Sequence, residues 1–81
     1  MQYLVVIEKA KRNYSAYVPD LPGCISTGKT IEQTLENIRE AITFHLEGMA
    51  RDGDPLPPRY TVLAASVEVP DYMPVTRAAA D

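Results

Sequence analysis

The side chains able to do chemistry in this chain are few. It has one cysteine, Cys24, one histidine, His45, and a run, Gly23-Cys24-Ile25-Ser26-Thr27-Gly28-Lys29-Thr30, that matches the bare pattern of a phosphate-cradling loop. A thiolate beside an imidazole would be a nucleophile, and such a loop would hold a nucleotide; each needs particular surroundings. A phosphate loop follows a buried parallel strand, opens a helix in a βα unit with room for a nucleotide, and is accompanied by an acidic strand end for magnesium. Here Cys24 to Thr27 itself reads as strand, no second acidic strand end exists, and Thr30 is explained as a helix cap. A catalytic cysteine sits partly exposed in an electropositive place with its histidine in reach. Cys24 instead leads an apolar strand and His45 borders an apolar helix stripe, so Cys24 reads as a small hydrophobe. One His and one Cys without convergent carboxylates do not make a metal site. No catalytic, cofactor-binding or metal residue is therefore assigned, and no cofactor is expected.

Elements of limited number must position whatever function remains. Eighty-one residues make one domain, small enough that association is a natural way to complete its core. The formal charge of -3 and pI near 5.0 argue against a nucleic-acid surface, because phosphate binding needs clustered cations. Lys9, Lys11 and Arg12 form the one local basic cluster, where a solvated hairpin turn is expected. An acidic surface suits a basic partner. No signal-peptide pattern and no run approaching the roughly 18 apolar residues of a membrane span are present, so a soluble, cytoplasmic protein is expected.

Tyr3-Leu4-Val5-Val6-Ile7 is apolar at odd and even positions, the pattern of a strand covered on both faces. Glu8 to Asn13 reads as a hairpin loop, Tyr14 to Val18 as a second strand stopped by Pro19, and Cys24 to Thr27 as a third. Thr30 with Gln33 three residues on begins a helix that runs to about Arg51, where Asp52-Gly53 and then Pro55, Pro57 and Pro58 end it. Tyr60 to Val69 reads as a last strand, with Thr61, Leu63, Ala65, Val67 and Val69 on one face. The expectation is an α+β fold, a two-layer β-β-β-α-β unit with the helix on one face of an antiparallel sheet, over residues 1–69, followed by a short tail at 70–81.

Helical spacing places Ile31, Leu35, Ile38, Ile42, Leu46 and Met49 in one stripe, with Ala41 and His45 on its edge. Glu32, Glu36, Glu40 and Glu47 fall outside it, either as a solvated face or as a negative surface for a basic protein. Phe44 projects from the same polar side, either as a lone exposed aromatic or as a contact with a partner or second subunit. The interface candidates are Phe44, Glu36, Glu40 and Glu47.

Tyr17-Val18-Pro19-Asp20-Leu21-Pro22-Gly23-Cys24, then Thr27-Gly28, Thr30, Glu32, Asn37, Glu40-Ala41-Ile42, Leu46-Glu47, and Asp52-Gly53 with Leu56-Pro57, form an ordered pattern over nearly the whole chain. The pattern resembles the HicB family of antitoxin domains. That resemblance implies a truncated ribonuclease-H-like fold, usually oligomeric (dimer or tetramer), which binds and neutralises a small basic toxin, HicA, that cleaves mRNA with a histidine. The antitoxin domain performs no chemistry of its own, so an enzyme is not expected. Full-length members commonly append a DNA-binding segment; Pro70 to Asp81 is too short for one, which makes direct DNA binding by this chain doubtful. Beside the toxin inhibitor stand two other readings: an orphan binding module of the same fold without a toxin, and a small thiol or nucleotide enzyme.

Overall fold

Turn chemistry fixes the corners of the chain. At the second corner Pro22 and Gly23 occupy the centre of a tight turn that closes with the Cys24 N–H donating to the Leu21 carbonyl at 3.0 Å. Gly23 has φ 84°, the left-handed value that a side chain would resist. At the first corner the Ala10 N–H donates to the Asn13 carbonyl at 2.9 Å, closing the hairpin. Lys9 lies 4.9 Å over the Tyr14 ring at its base.

The computed structural model describes residues 1–71. Three strands, β1 (Val6–Lys9), β2 (Tyr14–Tyr17) and β3 (Ile25–Gly28), form an antiparallel sheet in the order β1-β2-β3, and helix α1 (Ile31–Asp52) lies on one face. The class is α+β, as the sequence implies. Register decides the faces, because side chains opposite one another across a ladder point the same way. Ile7, Ala16 and Ser26 share one row and face the helix; Val6, Tyr17 and Ile25 share the next and face away from it.

Helix α1 begins as its sequence requires. The Thr30 hydroxyl accepts from the Gln33 N–H at 3.0 Å, and Glu32 sits in the first turn, where a negative charge meets the positive end of the helix dipole. It ends at Gly53, φ 73°, with the Gly53 and Asp54 N–H groups donating to the Ala50 and Met49 carbonyls. The core comprises Ala16, Val18, Leu21, Cys24 and Ile38, with Tyr3, Val5, Ile7, Ala41, Ile42 and Leu46 packed around it.

The structure corrects three expectations. Tyr60 to Val69 forms no strand among the described residues, and Val62, Leu63, Val67 and Val69 are exposed. Strand propensity supplies side chains, but a strand exists only where another backbone offers a ladder. The first strand is paired over Val6–Lys9 rather than Tyr3–Ile7, because β2 ends at Tyr17, opposite Val6. The helix stripe is rotated as well: Thr34 is fully buried, while Ile31 and Leu35 are nearly half exposed. Thr34 is admitted because its hydroxyl donates to the Thr30 carbonyl at 2.7 Å, and among the described residues no buried side-chain polar atom lacks a partner. Of the tail set apart at 70–81, residues 72–81 lie outside the described residues.

Candidate functional site

The stretch from Val18 to Thr30 holds every motif that could do chemistry, and its geometry is that of a buried corner. Leu21 is completely enclosed, and the Val18, Leu21 and Cys24 backbones bond to one another around it. Cys24 is buried, and loss of solvent around a thiolate pushes its pKa above the ordinary value, the opposite of an activated nucleophile. The unfolded chain would ionise this thiol at about its ordinary 9.0, whereas the folded chain keeps the proton to higher pH. The folded state then binds more protons, so this contribution to stability is complete below that pH and is lost as pH rises through the folded value. Urea unfolding on either side of pH 9.0 is expected to show a larger alkaline loss for the wild type than for Cys24→Ala.

Gly28, the glycine before Lys29-Thr30, serves close packing. A Cβ built there would lie 2.6 Å from Thr34 Oγ1 and 2.7 Å from the Thr34 amide nitrogen, which is backbone and cannot swing aside. Gly28→Ala is expected to cost about 1–3 kcal/mol by prising the first turn of α1 off β3, read as a lower urea midpoint. Among the described residues, no group of three or more His, Cys, Asp or Glu could hold a metal ion.

The surface features lie elsewhere, in four places. On the solvent side of α1, Glu36, Glu40, Phe44 and Glu47 follow one another at spacings of three and four, and all are exposed, Phe44 at 73%. Beside them Gln33 Nε2 donates to Asn37 Oδ1, and Asn37 Nδ2 donates to the Thr27 carbonyl, both at 2.8 Å, which stitches this side of the helix to β3. On the helix-free face of the sheet the row Val6, Tyr17 and Ile25 is apolar, and Ile25 is 69% exposed. The doubly apolar first strand anticipated this uncovered face. At the hairpin end, Lys11 and Arg12 border the same shallow depression as Lys29, so the basic cluster is larger than its local sequence indicates.

The fourth feature is a groove of about 770 Å³ between residues 1–5 and α1, lined by Leu35, Ile38, Ile42 and Leu46 and edged by Arg59, Thr61 and Val62. Its far wall is held by contacts that local sequence reasoning missed. The Asp20 carboxylate accepts from the Tyr60 and Thr61 N–H groups and from the Thr61 hydroxyl, at 3.0–3.3 Å. Arg59 Nη1 donates to the Gln2 carbonyl at 2.9 Å, and its guanidinium lies 5.5 Å from the Tyr3 ring centroid. Asp20 thereby ties the signature turn to the crossing some forty residues later. Contacts this distant in sequence leave no periodicity to read.

Comparison with known proteins decides the family. The model of the HicB-like antitoxin of bacterial toxin-antitoxin systems matches residues 3–81. The chain belongs to the HicB-like antitoxin family. A solved chain from a HicA3 and HicB3 toxin-antitoxin complex superposes with a TM-score of 0.64 and 33% identity, covering 73% of this chain and 70% of that one. Among curated relatives, an uncharacterised 14.9 kDa protein of Haemophilus phage HP1 is 40% identical over 89% of this chain and 53% of its own length. A UPF0150 protein of Helicobacter pylori is 49% identical over 58% of this chain and 65% of its own length, and one of Thermoplasma acidophilum is 40% identical over 70% and 84%. The HicB-like match thus spans about half of the phage relative and somewhat under two thirds of the Helicobacter one.

Proposed function

We propose that this HicB-like chain neutralises a small basic HicA-type toxin by covering it, without catalysis of its own. The observation that carries this reading is the likeness, at 33% identity, to a chain in a toxin-antitoxin complex. The chemistry supports it. The thiol is buried with a raised pKa, and the net charge of -3 complements an RNA-cleaving, hence cationic, toxin. Phe44 with Glu36, Glu40 and Glu47 is the surface proposed to meet the toxin: an aromatic anchor ringed by carboxylates is suited to a basic patch. The uncovered row Val6, Tyr17 and Ile25 calls for a second protein surface, and the protein is taken as a cytoplasmic dimer or tetramer. Among the described residues no helix is long and apolar enough to cross a membrane.

Induction of the cognate toxin in a cell carrying this chain tests the reading. Neutralisation predicts that growth arrest is relieved, and that the Phe44→Ala variant relieves it less. Full arrest in the presence of folded, abundant wild-type protein would leave the orphan binding module as the better description.

A further inference from the structure

We propose that residues 62–69 are an exchange arm, which adds as a fourth strand to the free edge of β1 in a second copy of the chain while that copy returns its own arm. This deepens the oligomeric part of the preceding reading and rests on it; toxin binding is not required for it.

The first observation is an uncovered half of the helix stripe. Taking Ile38 as the centre, helical geometry puts Thr34 and His45 about 20–40° to one side and Leu35, Ile42 and Leu46 about 40–80° to the other. The first flank lies over the sheet, where α1 packs on β3 and β2. The second flank lines the groove, and Leu35 there is 43% exposed. A three-stranded sheet is too narrow to cover this stripe, and the missing width lies on the side of β1. Because the order is β1-β2-β3, β1 is an edge whose second row of backbone groups has no strand partner among the described residues.

The second observation is a strand-like sequence without a sheet. Residues 62–69 carry the apolar, β-branched composition of a strand, yet Val62 is 91% and Val67 80% exposed. A missing strand position and an unpaired segment of strand composition therefore occur on one chain. A two-fold pair of copies satisfies both needs twice, which is the self-complementarity of a closed dimer interface. Geometry at the base of the arm favours exchange. Arg59 on Gln2 and Thr61 on Asp20 pin the chain at the rim of its own groove, and exposure jumps between half-buried Thr61 and Val62, so the arm leaves the domain there. The preceding Pro55, Pro57 and Pro58 make that lead stiff, and short stiff connections promote swapping because they resist folding back.

The test uses the full chain, mixed from equal parts carbon-13-labelled and unlabelled protein, unfolded and refolded together. Isotope-filtered NOE spectra are expected to show contacts between the Leu63 and Val67 methyls of one copy and the Val5, Leu35 and Ile42 methyls of the other. Light scattering at micromolar concentration should give at least twice the chain mass. The double variant Ser66→Pro/Val67→Pro is expected to halve that mass with the helical circular dichroism unchanged. Adjacent residues point their N–H groups to opposite sides, so one of the two prolines removes a ladder donor in either register. A wild-type monomer would overturn both the exchange and the oligomeric reading. An oligomer whose arm contacts fall within one copy, or one whose mass survives the two prolines, would overturn the exchange alone.

Discussion

Ile38→Ala is expected to lower the free energy of unfolding by about 2–5 kcal/mol, and Ile31→Ala, seven positions earlier on the same helix, by less than about 1 kcal/mol. Both residues belong to the apolar stripe that spacing defines. Ile38 is 1% exposed and packs against Ala16, Val18, Leu21 and Cys24, whereas Ile31 is 45% exposed at the first turn. Removing three carbons at Ile38 leaves a cavity that close-packed neighbours fill only partly; at Ile31 solvent fills the space at once. Domains are stable by only about 5–15 kcal/mol, and one this small lies toward the lower end. Ile38→Ala should therefore consume a third or more of the total, visible as a large drop in urea midpoint. Equal losses for the two variants would mean that Ile31 is enclosed in the assembled protein.

Reversing Glu36, Glu40 and Glu47 to lysine is expected to slow association with a basic toxin by about 10- to 1,000-fold at low salt. The substitution adds six units to a formal charge of -3, all on one side of one helix. Those carboxylates are exposed, and lysine is as good a helix former as glutamate, so helical content should be kept. Steering is a rate effect screened by salt, and the difference between wild type and variant should shrink as ionic strength rises. Stopped-flow association at two salt concentrations measures this. An unchanged rate would move the toxin contact to another surface, with the apolar row Val6, Tyr17 and Ile25 as the next to be tested.

The parts of this fold governed by neighbours in sequence were legible beforehand. Thr30 and Gly53 bound the helix because capping is satisfied by a local hydroxyl and a local left-handed turn, and Pro22-Gly23 turns the chain for the same kind of reason. The phosphate-loop pattern was likewise answerable from context, because Cys24 to Thr27 reads as strand and Thr30 as a cap; the close approach of Thr34 to Gly28 was not. What spacing could not supply was the rotation of the stripe. Helical arithmetic treats Ile31, Leu35 and Ile38 alike, but which of them is covered depends on the width of the sheet beneath. The Asp20 latch was hidden because its partners, Tyr60 and Thr61, come from the far end of the chain. Tyr60 to Val69 has the composition of a strand, and no property of its own residues says whether another backbone offers it a ladder. The interface candidates Phe44, Glu36, Glu40 and Glu47 do lie together and exposed, which helical spacing alone implies.

The most direct test of the HicB-like account is titration of the purified chain into an mRNA-cleavage reaction run by its cognate HicA-type toxin. Cleavage is expected to fall in proportion to added protein and to stop near stoichiometric equivalence, with Cys24→Ala inhibiting as well as the wild type. Cleavage that continues undiminished at saturating folded protein, or inhibition that vanishes with Cys24→Ala while the fold is intact, would contradict it.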